Sequence, residues 1–450
     1  MIDIGGPITR CCDGVNRRTF LQVGSLGALG LTLPQALRAE AAEQEVPTRA
    51  KACILLWLQG GPPQHETWDP KPDAPSEVRG PFSPIETNVS GIRISEVFPK
   101  LARQADKYAL LRSVHHPSPA HIVGHQYMLC GMGNGAVAYP NMAAVISRLR
   151  GGKSLLPPWV LVPNIAYETN ATPQKLAQTA GYLGSEYDAV IPEGDLVEGL
   201  MTLKNLDPPT GISHSRMTRR RRLLASAGGP ELAQVEPTRA SEAIYQQAFS
   251  LMDSSGVRQA FDLRKEPDRL RDRYGRNHVG QGALLARRLV EGGARFVTVN
   301  WPRRLAWDVH TDLEGMMRSH LAPTLDRAMS TLLEDLASRG LLESTMVLAM
   351  GEMGRTPTIG ASDPLYADGR DHWSAIVPVI MAGGGIRGGQ VIGASDSQGA
   401  YPSERPIASH DIVASVYHAF GIGPDQTVPA VGGQPKRVIE KGEPVHELFG

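Results

Sequence analysis

The chain of 450 residues has very little cysteine: Cys11, Cys12, Cys53 and Cys130 are the whole set. The first two fall in an N-terminal stretch set apart below. One remaining pair is no disulfide framework, so Cys53 and Cys130 are expected to be small core residues. Excess charge of either sign is missing as well. Lysine plus arginine and aspartate plus glutamate both number 46, which gives no reason to expect a nucleic-acid or anionic-membrane partner. Beyond residue 41 no apolar run approaches the roughly 18 to 20 residues needed to span a bilayer. No transmembrane segment is therefore expected in the mature chain.

Glycine, at 48, and proline, at 35, are plentiful. They imply many loops between strands and helices, as suits an α/β enzyme with long active-site loops. The N-terminus carries an export pattern. Asn16, Arg17, Arg18, Thr19, Phe20 and Leu21 lead into an uncharged run to Leu33, followed by small residues at Ala39 and Ala41. Paired arginines before Phe20 and Leu21 resemble a twin-arginine signal, read by the twin-arginine export machinery. Residues 1–41 are expected to be removed, leaving a product in the periplasm or outside the cell. Residues 42–450 are expected to form one α/β domain with an irregular insertion at about 164–230.

Four short apolar runs read as buried strands: Cys53 to Leu58, Arg295 to Asn300, Thr345 to Met350 and Ile376 to Met381. Each adjoins polar residues. The first is followed by Gly60, Gly61, His65, Glu66 and Asp69, the second by Asp308 and His310, and the third by Glu352 and Arg355. The fourth is preceded by Arg370, Asp371 and His372. Ligands of open α/β sheets bind beyond the carboxyl ends of the strands, so these residues are the first candidates for coordination or catalysis. The glycine pair at 60 and 61 permits a sharp turn and a close backbone approach to a ligand.

Histidines are densest between Arg112 and His125. A helix beginning after Pro119 puts His121 and His125 on one face, and its free amides favour an anion beside Ser118, a possible nucleophile. Asp308 and His310, two apart in an extended loop, can point the same way and form a pair suited to a zinc-like ion. Asp312 is expected to cap the long helix that runs to about Arg339. The bland readings are a surface turn for the first loop, a sheet-capping pair for Glu352 and Arg355, and packing for His372.

The motifs GGPPQHETWDPKP (60–72), RSVHHPSPAHIVGH (112–125), WDVH (307–310), GEMGRTP (351–357) and GRDHW (369–373), behind paired arginines, together resemble the bacterial family called domain of unknown function 1501. That family looks like a remote branch of the alkaline phosphatase and sulfatase superfamily. The resemblance implies a layered α/β fold, a central mixed, mostly parallel sheet flanked by helices, with metal at the strand ends. Carried over, His372 resembles the late metal-binding histidine, and Asp308 with His310 the central ligand group. Glu352 stands at an aspartate position, with Met353 where a histidine is usual. The segment from Ser118 to Gly131 resembles the nucleophile helix, and Cys130 lies too far along it to be the sulfatase residue. His65, Glu66 and Asp69 stand in for aspartates of the first loop.

These readings lead to a metal-dependent hydrolase of phosphate or sulfate esters. The metal set is drawn from His65, Glu66, Asp69, Asp308, His310, Glu352, Asp371 and His372, and the ion is zinc, calcium or magnesium. Ser118, His121, His125 and Arg355 are the catalytic candidates. Arg355, Arg370 or Arg112 would hold anionic oxygens, and His121 or His125 would carry a proton. The partner would be a small anionic ester or a sulfated or phosphorylated glycan. The alternatives are an exported metal- or carbohydrate-binding protein without turnover, and a structural envelope protein.

Overall fold

The computed structural model describes residues 46–133, 138–151, 154–163, 179–203, 216, 219, 223, 255–302, 306–360, 368–430 and 433–450. The export pattern and most of the expected insertion lie outside these. Met1–Pro47 and Thr48–Gly450 separate as two units, and the sheet and candidate site belong to the second.

Among the described residues, eight strands form the main sheet: β1 (Ala52–Trp57), β2 (Tyr108–His115), β3 (Trp159–Val162), β4 (Phe296–Asn300), β5 (Thr345–Met350), β6 (Val377–Ala382), β7 (Gln390–Ile392) and β8 (Ile407–Ala408). Their spatial order is β7-β2-β6-β5-β1-β4-β3, with β8 also pairing β2. β1 runs parallel to β4 and β5, and β3 parallel to β4. Only β6 opposes its neighbours, lying antiparallel between β5 and β2. The result is a mixed, mostly parallel sheet.

The continuous apolar runs are explained by burial on both faces. Along β1, Ile54 and Leu56 join one core cluster, while Cys53, Leu55 and Trp57 join the other. The first face is covered by α3 (His278–Glu291) and α4 (Ala322–Ser338), the second by α1 (His121–Cys130), α2 (Met142–Arg150) and α5 (Ser409–Ala419). Burying each large aliphatic side chain in these layers stabilises the fold by roughly 1.5–3 kcal/mol. Cys53 and Cys130 are buried free thiols, as their surroundings predict.

One local expectation is corrected. Asp312 makes no side-chain cap bond, because its left-handed backbone (φ 50°) lays the carboxylate over Gly315.

Strand direction positions the site. β1, β2, β4 and β5 all end at one edge of the sheet, and the reversed β6 begins there. The loops after β1, β2, β4 and β5 therefore meet the segment before β6.

Candidate metal centre

Asp308 is the hub. It leaves the loop after β4, where Gly60 lies so close that a Cβ there would stand 2.3 Å from the Asp308 nitrogen. Gly60 adopts φ 115°, which suits glycine. The glycine pair thus admits a neighbouring loop of the protein itself. Asp308 Oδ1 lies 2.9 Å from His310 Nε2 and 3.0 Å from His372 Nε2, and those two nitrogens are 3.2 Å apart. On the other oxygen, Oδ2, His121 Nε2 stands at 3.3 Å. His121, Asp308 and His372 each bring a ligand atom within 4.8 Å of the others.

The donor set fits a cation. Three imidazole nitrogens and a carboxylate converge, and their lone pairs would repel one another unless protons or a positive ion lay between them. The protein's own charges show this tension. Burial alone would lower the pKa of His121, but its bonds to Asp308 and Glu352 carry it up to about 9. Burial opposes ionisation of Asp308, yet bonds from His121 and His372 and the charge of Arg355 hold it far below the usual carboxylate range.

His121 is the first residue of α1, as its spacing from Pro119 implies. His310, Asp371 and His372 line an open cleft of about 390 Å³ whose other wall is Pro119 and Ala120. Glu352 and Asp371 approach from behind: Glu352 Oε1 is 2.7 Å from His121 Nδ1, and Asp371 Oδ1 is 2.7 Å from His310 Nδ1.

The remaining candidates face other partners. His125, on the same helix as His121, is buried against Trp57, and its Nδ1 donates to the His121 carbonyl at 2.5 Å. Ser118 Oγ accepts the Ala120 N–H at 3.4 Å, and the Ser118 N–H donates to His116 Nδ1. His65 is buried and donates from Nε2 to the Gln398 carbonyl at 2.7 Å; burial and the charge of Arg370 push its pKa down to about 3. Glu66 and Arg370 form a fully buried ion pair at 2.7 Å, and Arg370 also donates to Val78, Thr356 and Pro357 carbonyls. Asp69 accepts from Ser395 and pairs with Lys71 at 3.0 Å and Arg112 at 3.5 Å.

Arg355 is equally engaged. Its guanidinium donates to Gly61, Arg370, Gly60 and Trp307 carbonyls and to Asp308. Arg112 donates to the carbonyls of Trp68 and Arg93. One contributor escaped the sequence reading: His116 Nε2 donates to the Glu352 carbonyl at 2.6 Å. The adjacent pair His115 and His116 marks the spot, but only the fold distinguishes them: His116 is buried, while His115 is not.

A family model described as a protein of unknown function (DUF1501) matches residues 50–449. No curated protein matches the chain in sequence. Among solved structures it is similar to a variant of alkaline phosphatase PafA, at 12% identity, covering 90% of this chain and 100% of that one with a TM-score of 0.43. A protein in the alkaline phosphatase superfamily from Vibrio parahaemolyticus gives 10% identity, coverage of 84% and 68%, and a TM-score of 0.38. Phosphonate monoester hydrolase from Silicibacter pomeroyi gives 12%, coverage of 90% and 76%, and 0.32.

Proposed function

Starting from a chain that belongs to the DUF1501 family, we propose that it is a metal-dependent hydrolase of phosphate or sulfate esters. The observation that carries this reading is the triangle of Asp308 Oδ1, His310 Nε2 and His372 Nε2, with edges of 2.9 to 3.2 Å, beside an open cleft. The motif resemblance to the phosphatase and sulfatase superfamily supports the choice of ester.

Asp308, His121, His310 and His372 would hold the ion. When bound, a divalent cation would neutralise charge on the ester oxygens and lower the pKa of a hydroxyl or water. The chain's own residues do the rest of the preparation. Arg355 and the Gly60 loop fix Asp308, Asp371 fixes the His310 ring, and Pro119 and Ala120 present an apolar wall to the alcohol side of the ester. In this reading the twin-arginine pattern exports the chain, and residues 1–41 are removed.

A second reading, an exported metal- or carbohydrate-binding protein without turnover, is favoured by one observation. The guanidinium groups of Arg355 and Arg370 already donate to protein oxygens from all three nitrogens, so neither is ready to clamp an oxyanion.

The two separate in one assay. Purified protein loaded in turn with zinc, manganese, magnesium and calcium is offered model phosphate monoesters, phosphate diesters and sulfate esters. Hydrolysis that disappears in His372→Ala supports the hydrolase. A fully active His372→Ala rules out this site, and stoichiometric ion with no turnover selects the second reading.

A further inference from the structure

Two carboxylates stand behind two imidazoles. Glu352 Oε1 meets His121 Nδ1, and Asp371 Oδ1 meets His310 Nδ1, each at 2.7 Å. In both rings the far nitrogen, Nε2, faces Asp308, at 3.3 Å for His121 and 2.9 Å for His310. An imidazole whose Nδ1–H is bonded to a carboxylate keeps that proton and offers its lone pair at Nε2.

Glu352 is also anchored against turning round. The Gly60 N–H donates to both of its oxygens, at 2.9 and 3.0 Å, and His116 holds its carbonyl at 2.6 Å. α1 presses on the same carbonyl: a Cβ at Gly124 would come within 2.8 Å of it. Asp371 is tied through its backbone, its N–H donating to Thr356 Oγ1 and its carbonyl accepting the Thr356 N–H, both at 2.9 Å. Swinging either carboxylate toward the cation would break the bond that aims a histidine at it.

We infer that Glu352 and Asp371 are positioning residues rather than ligands, and that the site takes a borderline transition-metal ion of the zinc class. The inference rests on the metal-dependent reading above. With those two carboxylates outside the donor set, three nitrogens and one carboxylate remain. Calcium and magnesium take mainly oxygen donors in larger number, whereas zinc takes imidazole nitrogens and carboxylates such as these in small number and can add a further ligand.

The test uses the full chain, freed of metal and titrated calorimetrically with zinc, calcium and magnesium, together with the visible spectrum of the cobalt(II) form. Wild type, Glu352→Gln, Asp371→Asn and, as a ligand control, His372→Ala are compared. Zinc is expected to bind one per chain and far more tightly than calcium or magnesium. Glu352→Gln and Asp371→Asn are expected to bind zinc about 10- to 100-fold more weakly while keeping the wild-type cobalt band, and His372→Ala to lose or alter that band. Should Glu352→Gln fail to fold, Asp371→Asn, at a half-buried position, carries the test. A band altered in Asp371→Asn as in His372→Ala, or an unchanged zinc affinity, overturns the positioning role alone. Calcium or magnesium binding as tightly as zinc overturns the ion class. A wild type that takes up no ion removes the hydrolase reading along with this one.

Discussion

Arg355 Nη2 lies 2.5 Å from Asp308 Oδ1, and both side chains are largely withdrawn from water. A guanidinium with five donors is suited to this junction, because it bonds a carboxylate and four loop carbonyls at once. Arg355→Lys keeps the charge but loses the fork. We expect it to lower unfolding free energy by about 1–3 kcal/mol, the cost of leaving buried carbonyls without a donor, and to weaken zinc uptake, as read by urea denaturation and calorimetry. A denaturation midpoint equal to wild type would contradict this account of the junction.

The Glu66–Arg370 pair is fully buried and its partners are loop carbonyls. Glu66→Gln leaves a buried guanidinium without its counter-charge, which costs on the order of 3–5 kcal/mol. Ion stoichiometry should stay that of wild type, because Glu66 stands outside the donor set. Elemental analysis of the purified variant checks this; loss of the ion in a stably folded Glu66→Gln would return Glu66 to the ligands.

Gly60→Ala forces a methyl to within 2.3 Å of the Asp308 nitrogen at φ 115°. Strain of roughly 1–3 kcal/mol is expected, together with weaker zinc binding because Asp308 must retreat. Thermal unfolding with and without zinc measures both effects. A smaller zinc-induced rise in melting temperature than in wild type is the expected sign.

Stability should depend on pH in two opposed ways. Burial depresses His65 to about 3 and His116 to about 4. The unfolded chain, with ordinary imidazoles near 6.5, therefore binds protons first on acidification. Their contribution is present above pH 6.5 and is lost as pH falls toward 3–4, by about 3 kcal/mol for His65 at pH 4. Asp326 behaves oppositely. Its burial, offset in part by bonds from Leu101 and Lys100 amides, raises it to about 6. Its contribution is complete below about 3.8 and is lost as pH rises through 6. Relative to wild type, Asp326→Asn should gain about 2 kcal/mol between pH 4.5 and 8. Parallel stability curves for the two proteins would count against that shift.

The strands were legible because burial on both faces demands unbroken apolar runs, and Thr345–Met350 appears with the very bounds its sequence suggests. Strand direction was not legible. That β6 opposes β5 and β2 depends on pairings between residues far apart in the chain. Similarly, Asp308, His310 and His372 could be singled out from their places at strand ends. Which carboxylates face them could not, since Glu66 finds Arg370 304 positions away and Glu352 finds Gly60 292 positions away. A carboxylate beside histidines reads alike whether it binds an ion, orients a ring or neutralises a distant arginine.

The reversed strand also sets where the candidate ion site falls. Among the described residues, β2, which leads into His121, pairs into the β1, β4 and β5 portion of the sheet through β6. His372 stands just ahead of β6, and Asp308 follows β4. An ion held by His121, Asp308 and His372 would act as a clasp across that seam, so removing it is expected to loosen β6 before any other strand, a sequence that hydrogen exchange resolved strand by strand would reveal.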